Sequence, residues 1–180
     1  MFRFAVKRNI RCNSALDQKS GTMINGQACG CVADFRYGLC RMSFNGCEVI
    51  AVHNALVWLG IPQKLADIAA YMERFRMLMG FFGCSPFKIG KALSHFGADY
   101  TKTKNPTQSS AYVVSFWTKR RFLSSIHTVF CVKTDAGTEV YNSSNRCTDV
   151  RIYEDIQQYI GKKKPIAVYA LKNRNKDNTA

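Results

Sequence analysis

The sequence predicts an α+β fold, with N-terminal helices packed on a mostly antiparallel β-sheet. Apolar residues recur at helical spacing from about residue 47 to residue 96. After Gly97 they alternate with polar residues, as in half-buried strands. The chain has 180 residues, of which 47% are apolar, and this is enough for one core and one compact domain. A block of helices followed by a block of strands is typical of the α+β class.

Three helices are predicted in the first block. The first spans residues 47–59 and ends at Gly60, because Gly60 and the following Pro62 are strong helix stops. The second spans residues 63–79, where apolar residues line one face. The third begins with Ser85 as N-cap and Pro86 as first helical residue, and runs to about residue 96.

The second block predicts five strands and one short helix. The tripeptide Asp135-Ala136-Gly137 supplies the turn of a β-hairpin. The strands are expected at residues 99–102, 112–117, 126–133, 138–141 and 165–171, and the helix at residues 153–160.

Residues 41–171 therefore form the predicted domain. Residues 1–40 show no clear periodicity and carry turn signals such as Asn25-Gly26, so we expect an irregular or short-stranded arm packed on that domain. Residues 172–180 are polar and basic, and we expect a disordered tail there.

The net charge favours an acidic partner. The chain carries 26 basic and 12 acidic residues, a formal charge of +14, which attracts anionic substrates or surfaces. The basic residues are scattered over several short runs, such as residues 119–121 and 162–164, without interleaved aromatic side chains. Nucleic acid is therefore not the expected partner.

The termini and the cysteines predict a reduced, cytoplasmic protein. The first 12 residues lack the continuous apolar core of a secretory signal, and the longest apolar stretch is too short to span a bilayer. We therefore expect no membrane association. The 8 cysteines are expected to be free thiols in a reducing compartment. Cys29-Gly30-Cys31 lacks zinc-ligand spacing, so neither a metal nor another cofactor is expected.

Three residues suggest nucleophilic catalysis. Cys47 opens the first predicted helix, where free backbone N–H groups and the helix dipole favour a thiolate. His127 stands at the entrance of the predicted hairpin and Asn142 at its exit. Cysteine, histidine and asparagine in this order match a nucleophile, its base and the group that orients the base.

The hairpin geometry assigns a role to each group. His127 and Asn142 are expected to be cross-strand neighbours, so that the Asn142 side-chain oxygen accepts from the imidazole. The imidazole would hold the thiol proton, and the Cys47 N–H would stabilise an oxyanion. Glu48, next to the thiol, either opposes its ionisation as a like charge or serves the helix dipole, and the sequence leaves that sign open.

This arrangement resembles the papain-like cysteine peptidases over roughly residues 40–171. Size and spacing most resemble the small bacterial peptidases that cleave double-glycine leaders from bacteriocin precursors. The resemblance implies a papain-like fold, hydrolysis of a peptide or protein substrate through a thioester, and small residues near the scissile bond. Those families place a glutamine six residues before the cysteine, where this chain has Arg41. Asn45 and Gln27 are the candidates for the second oxyanion donor.

Other interpretations remain open at this stage. Cys47 is alternatively a buried core residue, and His127 an edge histidine. Acyl transfer and deamidation use the same chemistry as hydrolysis. The alternative function is a catalytically inactive papain-like module that binds an acidic peptide, protein or nucleic acid through its basic surface, and Arg41 favours this alternative.

Overall fold

Helices and strands follow one another in nearly the predicted order. The computed structural model describes residues 2–16, 20–104, 109–119 and 124–172. The α-helices in these segments are α1 (Phe2–Ser14), α2 (Met42–Asn45), α3 (Cys47–Trp58), α4 (Leu65–Met72), α5 (Ile89–His95) and α6 (Ile156–Ile160). The strands are β1 (Arg36–Tyr37), β2 (Cys40–Arg41), β3 (Tyr100–Lys102), β4 (Ala111–Lys119), β5 (Ser124–Thr134), β6 (Gly137–Tyr141), β7 (Arg151–Tyr153) and β8 (Pro165–Leu171).

Six of the strands form one antiparallel sheet. Its order is β3-β8-β4-β5-β6-β7, and every neighbouring pair runs antiparallel. Strands β1 and β2 form a separate two-stranded hairpin. The predicted α+β class, with helices and a mostly antiparallel sheet, is confirmed. Among the described residues, no helix is both long and apolar enough to traverse a bilayer.

The central strands of the sheet are covered on both faces, and successive residues of each strand point to opposite faces. Val113 and Phe130 belong to the core that the sheet shares with α3, and Phe130 packs against Trp58 with ring centroids 6.4 Å apart. Val114 and Val129, one residue along, belong to a second apolar cluster that includes α6. The short helix α6 thus covers the face that α3 leaves open.

Helix α3 has no polar face. Every residue from position 47 to position 56 is buried, including Glu48, His53 and Asn54. A helix without a solvent-facing polar side lies inside the protein. His53 and Asn54 are accommodated by the N-terminal segment, because the His53 ring contacts Thr22 O at 3.0 Å and Asn54 exchanges two hydrogen bonds with the backbone of Ile24.

The second predicted helix is shorter than its apolar pattern. Helix α4 ends at Met72, whereas the sequence predicts a helix to residue 79. After one 3₁₀ turn the chain becomes extended at Arg76, with φ −62° and ψ 142°, and Leu78 and Met79 then adopt positive φ angles of 43° and 58°. The Met79 carbonyl accepts from Leu39 N–H at 3.0 Å, so the turn is held against the β1–β2 hairpin.

The N-terminal arm is more ordered than its sequence indicates. Residues 1–40 are expected to be irregular or short-stranded, and β1 is a strand of two residues, yet α1 occupies Phe2–Ser14. Helix α1 docks through polar side chains: Asn9 donates to Gly38 O at 2.7 Å and to Glu73 Oε1 at 2.6 Å, and Asn13 exchanges two hydrogen bonds with the backbone of Arg36. Hydrophobic periodicity cannot reveal a helix that is anchored in this way. Of the predicted tail, residues 173–180 lie outside the described residues.

We expect Asn9→Ala to lower the free energy of unfolding by about 2–3 kcal/mol, because it leaves a buried carbonyl and a buried carboxylate without their shared donor. Urea denaturation measures the effect. Lys7→Ala, an exposed change on the same helix, should stay within about 0.5 kcal/mol of the wild type. Equal stabilities of the two variants would show that the Asn9 contacts do not anchor α1.

Candidate active site

The Cys47 thiol lies at the junction of α3 and β5. Cys47 is the first residue of α3 and is buried. Its Sγ donates to Glu48 Oε2 at 3.3 Å and lies 4.0 Å from the carbonyl oxygen of Ile126. It also accepts a hydrogen bond from the backbone N–H of Thr128. The thiol therefore contacts β5 on both sides of His127.

This contact exists because β6 is shorter than β5. Strand β6 pairs with residues 130–134 of β5 only, and the start of β5 has no partner on that side. Backbone groups of alternate strand residues point to opposite edges. Since Lys133 donates to Ser110 beside β4, even-numbered residues such as Ile126 and Thr128 face the edge that β6 leaves open. The thiol occupies part of that edge.

The imidazole of His127 is held by the main chain of Asn142. The Nε2 atom lies 2.9 Å from the Asn142 carbonyl oxygen, and the ring packs edge-on against Phe116 with centroids 5.9 Å apart. A carbonyl oxygen only accepts, so Nε2 carries a proton and the neutral ring has its lone pair on Nδ1. Among the described residues, the hydrogen bonds of the Cys47 thiol do not include one to this ring.

Asn142 is adjacent to His127, although the contact is not the expected one. The sequence predicts that the side-chain oxygen accepts from the imidazole, but that oxygen accepts from Gln27 N–H at 3.0 Å, and the side-chain nitrogen donates to Gln27 Oε1 at 3.1 Å. Strand β6 has already ended at Tyr141, and Asn142 leaves it with a φ of 58°. The main chain, and not the side chain, therefore meets the ring.

The two candidate oxyanion donors are directed at backbone carbonyls. Asn45 donates to Tyr37 O at 3.0 Å and to Gly80 O, and its buried Oδ1 has no partner among the described residues. That oxygen is an acceptor and cannot stabilise an oxyanion. Gln27 Nε2 donates to the carbonyls of Met42 and Ser43 at 3.3 and 3.2 Å.

Arg41, in the position of the expected glutamine, points to the surface. Its guanidinium pairs with Asp34 at 3.1 Å, and both side chains are about 60% exposed. Such an exposed pair contributes little to stability. Gln27, from the N-terminal arm, lies near the start of α2 instead. Its side-chain nitrogen donates to Met42 O, and its side-chain oxygen accepts from Asn142.

Burial and charge together keep the thiol protonated. Burial raises the pKa of the Cys47 thiol well above its usual value, and the charge of Glu48 raises it further. Backbone N–H groups of Thr128 and Glu48 act in the opposite direction but are outweighed. Glu48 therefore acts as a like charge, which resolves the sign that the sequence left open.

The pKa of Glu48 is itself raised to about 7, chiefly by burial. Hydrogen bonds from its own N–H, from the thiol and from the backbone of Cys84 keep the pKa from rising further. The carboxyl group therefore titrates near neutrality.

A cleft of about 1030 Å³ opens over the thiol. Cys47, Glu48, His127, Gln27 and Asn45 all line it. Three half-exposed aromatic side chains, Phe44, Phe81 and Phe82, form an apolar part of its wall.

Sequence reasoning missed the aromatic wall and the buried state of Glu48. Glu48 stands as the single charge in the apolar run from Cys47 to Gly60, and the pair Phe81-Phe82 lies between two glycines. Either pattern is a usable signal, because an isolated charge on a buried helix needs a specific environment.

The cysteines are not oxidised to disulfides. None of the eight cysteines is bonded to another. Among the residues that the structure describes, no three histidine, cysteine or acidic side chains are grouped so as to hold a metal ion.

Comparisons with protein-family models, curated proteins and solved structures give no match to this chain. The geometry of the cleft is therefore the basis for its functional interpretation.

We expect Glu48→Gln to become progressively more stable than the wild type between about pH 4 and pH 8. The pKa of Glu48 is about 7 in the folded protein against an ordinary value of 4.5, so unfolding releases a proton in this window and wild-type stability falls as the pH rises. The difference between the two proteins should grow by on the order of 3 kcal/mol in urea denaturation.

The exposed Glu154 provides the control, because Glu154→Gln removes the same charge from the surface. A pH-independent difference between wild type and Glu48→Gln would mean that Glu48 titrates normally.

Proposed function

We propose that the protein is a thiol hydrolase of the cysteine peptidase or amidase type, with Cys47 as nucleophile and His127 as base. One observation carries the proposal. The thiol at the start of α3 and the imidazole of β5 line one cleft, and the thiol contacts the backbone of β5 at the residues before and after His127.

The proposed reaction passes through a thioester. The imidazole takes the thiol proton, the sulfur attacks the substrate carbonyl carbon, and the developing oxyanion accepts from the backbone N–H at the start of α3. The imidazolium then protonates the leaving amine. Water, deprotonated by the same ring, hydrolyses the thioester and restores the thiol.

The tautomer of His127 supports this role. With the Nε2 proton directed at the Asn142 carbonyl, Nδ1 carries the lone pair that a base needs. The carbonyl also stabilises the imidazolium that forms during the reaction. Catalytic contacts commonly tighten when substrate binds, so the thiol–imidazole hydrogen bond is expected in the substrate complex.

A polar network supports the orienting carbonyl. The Asn142 side chain is bonded to Gln27, and its N–H donates to Asn25 Oδ1 at 2.9 Å. Asn142 is buried and has a φ of 58°. These hydrogen bonds hold the residue in that left-handed conformation. Asn142 and Gln27 are thus positioning residues in this proposal.

The cleft supports a peptide as the substrate. Its wall combines three phenylalanines with small hydroxyl side chains, including Thr118, Ser125 and Ser143. An apolar wall with a few polar groups is typical of sites that bind amphipathic ligands. We therefore propose that the substrate places an apolar side chain against Phe44, Phe81 and Phe82.

The second candidate is a papain-like module that binds without catalysis. The occupied amides of Gln27 and Asn45 favour it, because both candidate oxyanion donors direct their side-chain N–H groups at backbone carbonyls. In that case the basic surface, with its +14 net charge, would hold an acidic peptide in a salt-dependent manner.

The test is cleavage of a mixed peptide library, followed by mass spectrometry. We expect the wild type to cleave, Cys47→Ala to lose all activity, and His127→Ala to lose at least about 100-fold. Cys147→Ala is the matched control, because Arg151 lowers the pKa of this partly exposed thiol and makes it the obvious competitor. It should retain full activity.

Activity that persists in Cys47→Ala contradicts the assignment of the nucleophile. Peptide binding without cleavage, weakened by salt and unaffected by Cys47→Ala, would favour the binding module.

A further inference from the structure

The proposed mechanism leaves one buried group at the nucleophile without a role. Glu48 is 1% exposed, and its Oε2 lies 3.3 Å from the Cys47 sulfur. The described ion pairs are Arg41–Asp34 and Arg76–Glu73, so no described basic side chain pairs with Glu48. A buried carboxyl group without a counter-charge is costly and requires a specific environment.

That environment is built around the carboxyl group. An added Cβ at Gly83 would lie 2.6 Å from Glu48 Oε2 and 3.1 Å from Oε1, and Gly83 has a φ of +66°. Only glycine therefore fits beside the carboxyl group. The backbone of Cys84 and the N–H of Glu48 itself donate to the carboxyl oxygens.

The titratable groups facing Glu48 come from three segments. They are the thiol of Cys47 on α3, the thiol of Cys84 and the phenol of Tyr37 on β1. Tyr37 donates its O–H to Met72 O at 2.8 Å, and burial raises the pKa of both Tyr37 and Cys84. Both therefore stay neutral near pH 7, and Glu48 is the group of this set that changes charge there.

We propose that Glu48 is a catalytic residue that sets the protonation state of Cys47: its carboxylate keeps the sulfur as an S–H donor, and its neutral acid form donates to the thiolate. The inference rests on the proposed function for its catalytic meaning. The effect of Glu48 on the protonation state of the Cys47 thiol does not depend on a substrate.

The chemistry depends on whether the Glu48 carboxyl group holds a proton when the Cys47 thiol loses its own. With an ionised carboxyl group, removal of the thiol proton would place two negative charges 3.3 Å apart in a buried site. With a protonated carboxyl group, the S–H proton goes to His127, the electron pair stays on sulfur, and the acid O–H turns to donate to the thiolate. Once the thioester is hydrolysed, the proton returns from His127 to sulfur.

The active form therefore needs a neutral Glu48. The pKa of about 7 for Glu48 places this form on the acidic side of neutrality. A hydrolase that uses this pair should lose activity as the pH rises through neutrality. Glu48→Gln should extend activity to higher pH, since a neutral amide likewise donates to the thiolate.

The experiment follows Cys47 alkylation by iodoacetamide against pH, with peptide mass spectrometry. In the wild type we expect the rate to rise up to about pH 7, to flatten while Glu48 ionises, and to rise again at higher pH. The partly exposed Cys147 is an internal reference and should show no such plateau. A single simple titration of Cys47 in the wild-type protein would overturn the proposal, without need of any variant.

Glu48→Gln sharpens the test. We expect it to raise Cys47 alkylation at least about 10-fold at pH 8 and to leave the rate nearly unchanged at pH 5.5, where the carboxyl group is neutral in both proteins. Glu154→Gln, an exposed change of the same charge, should match the wild type. Equal rates at every pH, or a slower Glu48→Gln protein at pH 8, would contradict the proposal.

The failures of the two proposals are distinguishable. Alkylation needs no substrate, so the plateau and its loss in Glu48→Gln test Glu48 even if no peptide is cleaved. Conversely, peptide cleavage that requires Cys47 but has the same pH profile in wild type and Glu48→Gln would retain the hydrolase and remove Glu48 from its mechanism.

Discussion

The contact between the start of α3 and the open edge of β5 determines the architecture of the candidate site. Helix α3 is buried all round, so its position is dictated by the core and not by a surface. Strand β6 ends before it covers the first residues of β5, and an uncovered strand edge needs partners. Cys47 meets that edge at Ile126 and Thr128, and this places the thiol next to the strand that carries His127.

The N-terminal arm is part of this site and not an appendage. Gln27 is bonded to Asn142 and to the carbonyls of Met42 and Ser43, so one buried amide joins the arm, the segment after β6 and the start of the helices. Asn9 and Asn13 attach α1 to the backbone of Gly38 and Arg36 in the β1–β2 hairpin. Buried polar contacts of this kind specify one arrangement, because each broken contact leaves a desolvated group unpaired.

The charged group next to Cys47 has the opposite sign to the net charge of the chain. The net charge of +14 attracts anions at the surface, yet the Cys47 thiol is hydrogen-bonded to a buried carboxyl group. Local burial decides the protonation state of Cys47, since a desolvated charge 3.3 Å away outweighs many solvated ones at greater distance. The net charge of the chain therefore does not predict the charge around the Cys47 thiol.

The sequence by itself determined the α+β class, the position of α3 and the limits of the final strand, because these depend on period and on local stop signals. It also indicated Cys47, His127 and Asn142 as one group of candidate site residues. Only the tertiary structure decided how they meet. The Asn142 carbonyl faces the imidazole of His127, the side-chain amides of Gln27 and Asn45 donate to backbone carbonyls, and Arg41 lies at the surface. Helix α1 and the end of α4 were missed for the same reason. Polar anchoring and positive φ angles arise from long-range contacts, and a one-dimensional pattern contains neither.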